Sequence, residues 1–349
     1  MSQIKVRVNG RGNAWPVFLG QEHPFYDRHN IEDLANASFS IIKSSKSKSK
    51  ENEIEWELMI DAGHGATQFL IKNYNRIPEA LFLTHPHIDH ILGLDWIVQS
   101  YFKIERKPYP VYMSIPCWEK VKTFFPHLID LINFKELLPY QKIDIKELSG
   151  VELISYPVYH GTSAMGATML FFNINDEKEQ KKILFTGDIL CPLLRDEDFN
   201  TISNVDLLVA DSNNRFPYPK SNHWSIVEGK ENNESEILSN FFKENTIGLL
   251  LYPHLNNRTS NKYYYYFDYF LNREFQLKDF PFSVTSFIER ISPKKTALVH
   301  YGGIEDNKYH EEKTLNTTEL EEWVKVELKK QCLKTEIIVP YVSQHIDFL

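Results

Sequence analysis

The segment Thr84-His85-Pro86-His87-Ile88-Asp89-His90 follows directly on the apolar run Ala80-Leu81-Phe82-Leu83, and it constrains the chain more than any other stretch. Three histidines and an aspartate fall within six residues. Imidazole nitrogen and carboxylate oxygen are the ligands that hold Zn²⁺ and similar divalent ions. Side chains alternate along a strand, so His85 and His87 point the same way at its end. Asp89 and His90 fall in the turn beyond and can face a second ion. A solvated, histidine-rich loop is the plain alternative. The buried-type strand before the cluster and the distant partners below argue against it.

Those partners share one setting. Asp61 ends the apolar run 57–60 and precedes Ala62-Gly63-His64-Gly65. His160 ends the run 153–159 beside Gly161. Asp188 follows Ile183-Leu184-Phe185-Thr186-Gly187. His300 ends Thr296-Ala297-Leu298-Val299, before Tyr301-Gly302-Gly303. Each is an Asp or His at the C-terminal end of a strand-like run, where open α/β sheets gather their sites. Glycine beside such a residue lets the backbone turn tightly.

The order Asp61, His85-x-His87-x-Asp89-His90, His160, Asp188, His300, with Gly93 shortly after the first cluster, resembles the metallo-β-lactamase superfamily of hydrolases. The resemblance runs from about Val6 to Phe348. It implies an α/β fold, the four-layer αββα sandwich, as one domain over residues 1–349. It also implies a binuclear metal centre at one edge. His85, His87 and His160 would hold the first ion, and Asp89, His90 and His300 the second. Asp188 would bridge them, and Asp61 would brace the histidine loop from behind. Each of the single residues has a plainer reading, as a turn aspartate or an ordinary histidine near a strand end. Their order is what carries the assignment. His254 ends another apolar run and rivals His300. The helix and strand expected after His300, at 318–331 and 336–342, favour His300.

The cofactors implied are two divalent ions, zinc first, with manganese or iron as alternatives. Such ions lower the pKa of a shared water and polarise a phosphoryl or carbonyl oxygen. The ligand histidines must be neutral, so activity is expected to fall below about pH 6.

Asp211 and the segment Ser221-Asn222-His223-Trp224-Ser225 are similar to a region of the transfer-RNA 3′-processing endonucleases and of class II cyclic-nucleotide phosphodiesterases. The resemblance implies that His223 contacts the scissile phosphate and protonates the leaving oxygen. A polar loop histidine is the plainer alternative. Ala210-Asp211-Ser212 departs from the His-Glu-Ala usual in the endonucleases, and no Gly/Pro-rich transfer-RNA-binding arm is evident. The catalytic set expected is therefore Asp89, His223 and Asp61.

Composition agrees. The 349 residues are 42% hydrophobic, as in ordinary globular proteins. A net charge of −8 argues against a general nucleic-acid binder. The three cysteines, Cys117, Cys191 and Cys332, show no CxxC spacing and read as reduced thiols. The first thirty residues lack an apolar signal core, and no run reaches membrane-spanning length. The expectation is a cytoplasmic protein that does not use a membrane.

Along the chain, strands are expected at 4–8, 37–43, 53–60, 111–115, 151–158, 167–174, 206–210 and 247–252, and helices at 91–102, 117–125, 130–138, 233–243 and 284–291. The Gly-rich turn 9–16 is either a plain turn or a phosphate cradle. The Ser/Lys run 44–50 reads as a hairpin tip. An insertion is expected at about 250–285, including the aromatic stretch 263–270, as packing, lid or dimer contact.

These readings converge on a binuclear metal-dependent phosphodiesterase acting on a cyclic nucleotide or other small phosphodiester through a metal-bridging hydroxide. Three alternatives stay open: a metal-dependent esterase, lactonase or thioesterase; an RNA-processing nuclease; and an iron-dependent oxidative relative, since Asn222-His223-Trp224-Ser225 and His254-Leu255-Asn256-Asn257 resemble segments of the pyrroloquinoline-quinone biosynthesis protein B. RNA as a partner and a homodimer are secondary expectations.

Overall fold

Strand β1 (Ser2–Gly10) pairs antiparallel with β2 (Ser38–Lys46), and β2 with β3 (Asn52–Ile60). From β3 the sheet continues in parallel through β4 (Ala80–Phe82), β5 (Tyr109–Met113) and β6 (Ile132–Glu136). The structure is a computed structural model that describes residues 2–46, 52–145, 148, 150–175, 180–218, 221–228 and 283–348.

A second sheet opens with the antiparallel strands β7 (Lys142–Asp144), β8 (Val151–Tyr159), β9 (Thr168–Asn175) and β10 (Gln180–Phe185). The short β11 (Cys191–Pro192) covers β8 at one edge. Beyond β10 the pairing turns parallel through β12 (Leu207–Asp211), β13 (Lys295–Val299) and β14 (Glu336–Ile338). The last strand, β15 (His345–Asp347), returns to the first sheet beside β1.

Alternation along these strands sorts the apolar side chains into three buried layers. Leu58, Ile60 and Phe82 of the first sheet meet Leu170, Phe172, Phe185, Val209 and Val299 of the second in a core between the sheets. The residues one step out of phase face the other way. Met59, Leu81 and Val111 pack under helices Ala66–Asn73, Leu94–Glu105 and Ile115–Phe124. Met169, Phe171, Leu208 and Leu298 pack under helices Asp196–Thr201, Val284–Ile291 and Thr317–Lys330. Strands apolar on both faces need cover on both faces, and the result is helix–sheet–sheet–helix. The expected αββα architecture is the one observed. Among the described residues, no helix is long and apolar enough to cross a membrane.

One element differs from expectation. Residues 130–138 were expected to be helical. Instead a 3₁₀ turn (Pro126–Leu131) leads into β6. Ile132 and Phe134 alternate with polar neighbours, the period-two pattern of an edge strand, and β5 offers a free edge to pair with. The Gly-rich turn 9–16 has a packing explanation. A Cβ at Gly10 would lie 2.0 Å from the carbonyl of Asn36, and one at Gly12 would lie 2.9 Å from that of Ala35. The segments expected at 233–243, 247–252 and 263–270, and His254 with them, lie outside the described residues, as do residues 250–282 of the insertion expected at about 250–285 and positions 47–50 of the Ser/Lys run.

Candidate metal centre

The C-terminal ends of β3, β4, β8, β10, β12 and β13 deliver Asp61, His85, His160, Asp188, Asp211 and His300 to one edge of the sandwich. Asp61 and His300 both take positive φ, 54° and 65°, where non-glycine residues are uncommon.

The structure brings the predicted residues together in two overlapping groups. In one, ligand atoms of His85, His87, His160 and Asp188 all lie within 4.8 Å of one another; in the other, those of Asp89, His90, Asp188 and His300 do so. Asp188 belongs to both. A third such group joins Asp188, Asp211, His223 and His300.

Surrounding hydrogen bonds fix which nitrogen of each ring faces inward. The Nδ1–H of His90 donates to Asp61 Oδ2 at 2.8 Å. The Nδ1–H of His160 donates to the carbonyl of Asn222 at 2.8 Å. His85 Nδ1 lies 3.1 Å from Thr84 Oγ1, and that hydroxyl in turn donates to Asp61 Oδ2 at 2.7 Å. In all three rings Nδ1 is engaged from outside and Nε2 faces the cluster, the arrangement that outer partners impose on metal-binding histidines. His87 is turned over: its Nε2 meets Ser163 Oγ at 3.0 Å and its Nδ1 faces inward. Asp61 also accepts the backbone N–H of Thr84 at 2.8 Å, so one carboxylate braces the loop at three points.

A divalent cation fits this donor set. His85 Nε2 is fully buried without a hydrogen-bond partner, which is costly for a nitrogen lone pair unless something coordinates it. Burial, and after it the charge of His90, pushes the His85 imidazole well below the usual histidine range. Burial lowers His160 strongly and His87 as well. Burial thus favours the neutral form of these three rings, the form a ligand must take. Burial opposes charge on His90 too, but Asp188, Asp61 and Asp89 outweigh it and hold that ring well above the usual range. Burial would raise Asp89, yet His90 and His300 bring it down to about 2. Asp188 is likewise held well below the carboxylate range, with burial outweighed by His300, His90 and His85.

Beside the cluster, His223 Nδ1 donates to Asp211 Oδ2 at 2.7 Å, and its Nε2 lies 3.9 Å from Asp188. Burial lowers this ring, but Asp211 and Asp188 more than offset it and raise it to about 9. A cleft of about 180 Å³ opens over the site. Its walls include Asn13 and Trp15 of the turn 9–16, expected to be a plain turn or a phosphate cradle, and Asn222 beside His223. They add Phe18, Asn213 and Asn214, to which no role was assigned from the sequence.

The profile of the β-lactamase superfamily domain matches residues 57–231, which hold all the proposed ligands except His300. The chain belongs to this superfamily, in its metallo branch, and is a metal-dependent hydrolase. Among solved structures it is similar to a diphosphatase of the PhnP family, at 16% identity and a TM-score of 0.56, over 99% of this chain and 98% of that one. It is also similar to the metallo-β-lactamase fold protein YhfI from Bacillus subtilis, at 13% identity and 0.54, over 99% of both chains. A long-form RNase Z from yeast matches at 11% identity and 0.52, over 99% of this chain and 42% of that one. At these identities the likeness is one of fold. No curated protein matches the sequence significantly.

Proposed function

We propose that this protein is a phosphodiesterase that holds two divalent metal ions, zinc first, and acts on a small phosphodiester such as a cyclic nucleotide. His85, His87 and His160 would hold one ion, Asp89, His90 and His300 the other, with Asp188 shared. When bound, the ions supply a Lewis acid and a water acidic enough to be a nucleophile near neutral pH.

The observation that carries the reading is His223. An imidazole held protonated by Asp211, with its Nε2–H turned toward the cluster, is placed to give a proton to a departing oxygen. An alkoxide leaving a phosphodiester needs that proton, whereas the leaving group of an activated ester does not. Asp211 keeps the ring charged and oriented. Its other oxygen accepts the N–H of Asn213 at 3.0 Å, and its carbonyl accepts Trp224 Nε1–H at 2.7 Å, so it cannot swing away. Asp61 holds the histidine loop in register without touching substrate.

The PhnP-family diphosphatase and the RNase Z named above are, by their names, enzymes that act on phosphate linkages, which supports the same choice. The test is hydrolysis of 3′,5′-cyclic AMP and of p-nitrophenyl acetate by the metal-loaded protein. A phosphodiesterase cleaves the first and depends on His223 to do so. Turnover of the acetate alone would move the esterase reading to the front.

A further inference from the structure

The segment after β1 divides into an inward and an outward half. Phe25 and Tyr26 are buried, and the Tyr26 hydroxyl donates to the carbonyl of Tyr301 at 2.6 Å. Trp15 and Phe18 point outward, 68% and 40% exposed, and both line the cleft over the metal cluster. Exposed apolar side chains grouped beside polar residues mark ligand-binding grooves, and aromatic rings supply flat faces for stacking.

The segment is pinned on both sides of these two rings. Gly12 N–H donates to Ala35 O at 2.9 Å, and Asn36 Nδ2 donates to the carbonyl of Asn13. The side chain of Asn13 accepts the N–H of Trp15 at 3.1 Å, which sets the direction of the Trp15 backbone. A turn closes after Phe18, with Gln21 N–H on the Phe18 carbonyl at 3.0 Å and Gly20 at φ 80°. His23 Nε2 then ties the segment to the carbonyl of Gly302 at 2.9 Å.

Amides stand next to the rings. Asn13 Nδ2 donates to Asn213 Oδ1 at 3.3 Å, and Asn213 Nδ2 lies 3.5 Å from Asn214 Oδ1. Gly302 makes room for this pair, because a Cβ there would come within 2.5 Å of Asn213 Oδ1 and 2.7 Å of Asn13 Nδ2. Among the described residues, each of these amide nitrogens makes one such contact and has a second N–H to donate. A flat ring with acceptor atoms on its edge matches such a place: the aromatic faces stack on it and the amides read its rim.

We infer that Trp15 and Phe18 form a stacking subsite for a nucleobase, with Asn13 and Asn213 as its polar edge, so that the substrate is a nucleotide diester. This rests on the phosphodiester reading and narrows it.

The test separates the two claims by measuring binding without turnover. Metal-loaded protein is titrated calorimetrically with adenosine 5′-monophosphate and with ribose 5-phosphate, ligands that differ only in the base. The wild type is expected to prefer the nucleotide by roughly tenfold or more, the size of one base–aromatic stack. Trp15→Ala should erase most of that preference and Trp15→Phe should keep part of it. Leu19→Ala, at a fully exposed neighbour outside the cleft, should keep it whole. Equal affinities in the wild type, or a preference that survives Trp15→Ala, would overturn the subsite. A Trp15-dependent preference in a protein that hydrolyses no phosphodiester would leave the subsite standing and remove the phosphodiesterase reading.

Discussion

The imidazole of His223 sits 2.7 Å from the carboxylate of Asp211, twelve positions earlier in the chain, and its outer nitrogen faces Asp188. A general acid matters in proportion to how poor the leaving group is. His223→Ala should therefore cut kcat for a diester with an alkoxide leaving group by about 10²–10⁴. With bis(p-nitrophenyl) phosphate, whose leaving group is stable as an anion, the loss should be less than about tenfold on the same reasoning. Equal losses on both would assign His223 to binding rather than proton transfer.

The same pair sets an alkaline limit. Asp211 and Asp188 raise His223 to about 9, so its acidic form is present below that pH and lost as pH rises through it. Asp211→Asn removes the carboxylate in direct contact and should move the alkaline limb of the kcat profile for an alkoxide-leaving diester to lower pH. An unmoved limb would place the titration elsewhere.

Much of this site is legible in the sequence, because metal ligands must come from few residue types and from strand ends. The order from Asp61 to His300 could be read from the chain, and so could the layers, since Leu58/Met59, Leu170/Phe171 and Leu208/Val209 alternate between two buried faces. What could not be read depends on contacts between distant segments. Ile132–Glu136 is a strand only because β5 lies beside it. Trp15 stands in a Gly-rich turn whose sequence does not tell which way its ring faces, and its exposure goes with the bonds that tie Gly12 to Ala35 and His23 to Gly302. Likewise, the choice of Nδ1 on His87 follows from Ser163, which lies 76 residues away.

Asp61 makes three hydrogen bonds to the histidine loop and reaches no substrate. Asp61→Asn should weaken metal binding by about 10–100-fold, as losses of such outer partners do. Competition with a chromophoric chelator measures this. Unchanged affinity would show that the loop holds its shape unaided.

Metal binding should release protons. His90 is held charged by Asp188, Asp61 and Asp89, and it must lose its proton to become a ligand. Its raised pKa means that the protonated form persists at neutral pH, so affinity should rise with pH. Calorimetry in two buffers of different ionisation enthalpy counts the protons. At least one per protein is expected near pH 7, and none would contradict the assignment of His90. Chelation should also destabilise the fold, because a ligand at a thousand times its Kd contributes about 4 kcal/mol.

Gly187 has φ 58°, and a Cβ there would lie 2.8 Å from Thr84 Cβ. Gly187→Ala should cost about 1–3 kcal/mol by overpacking and push Asp188 out of line with the histidine loop. Urea denaturation and metal affinity should fall together.

The most direct test of the central claim is hydrolysis of bis(p-nitrophenyl) phosphate by protein loaded with Zn²⁺ or Mn²⁺, set against chelated protein and Asp89→Ala. Turnover is expected with metal and is lost in both controls. Absence of turnover from protein shown to carry its metal would contradict that claim.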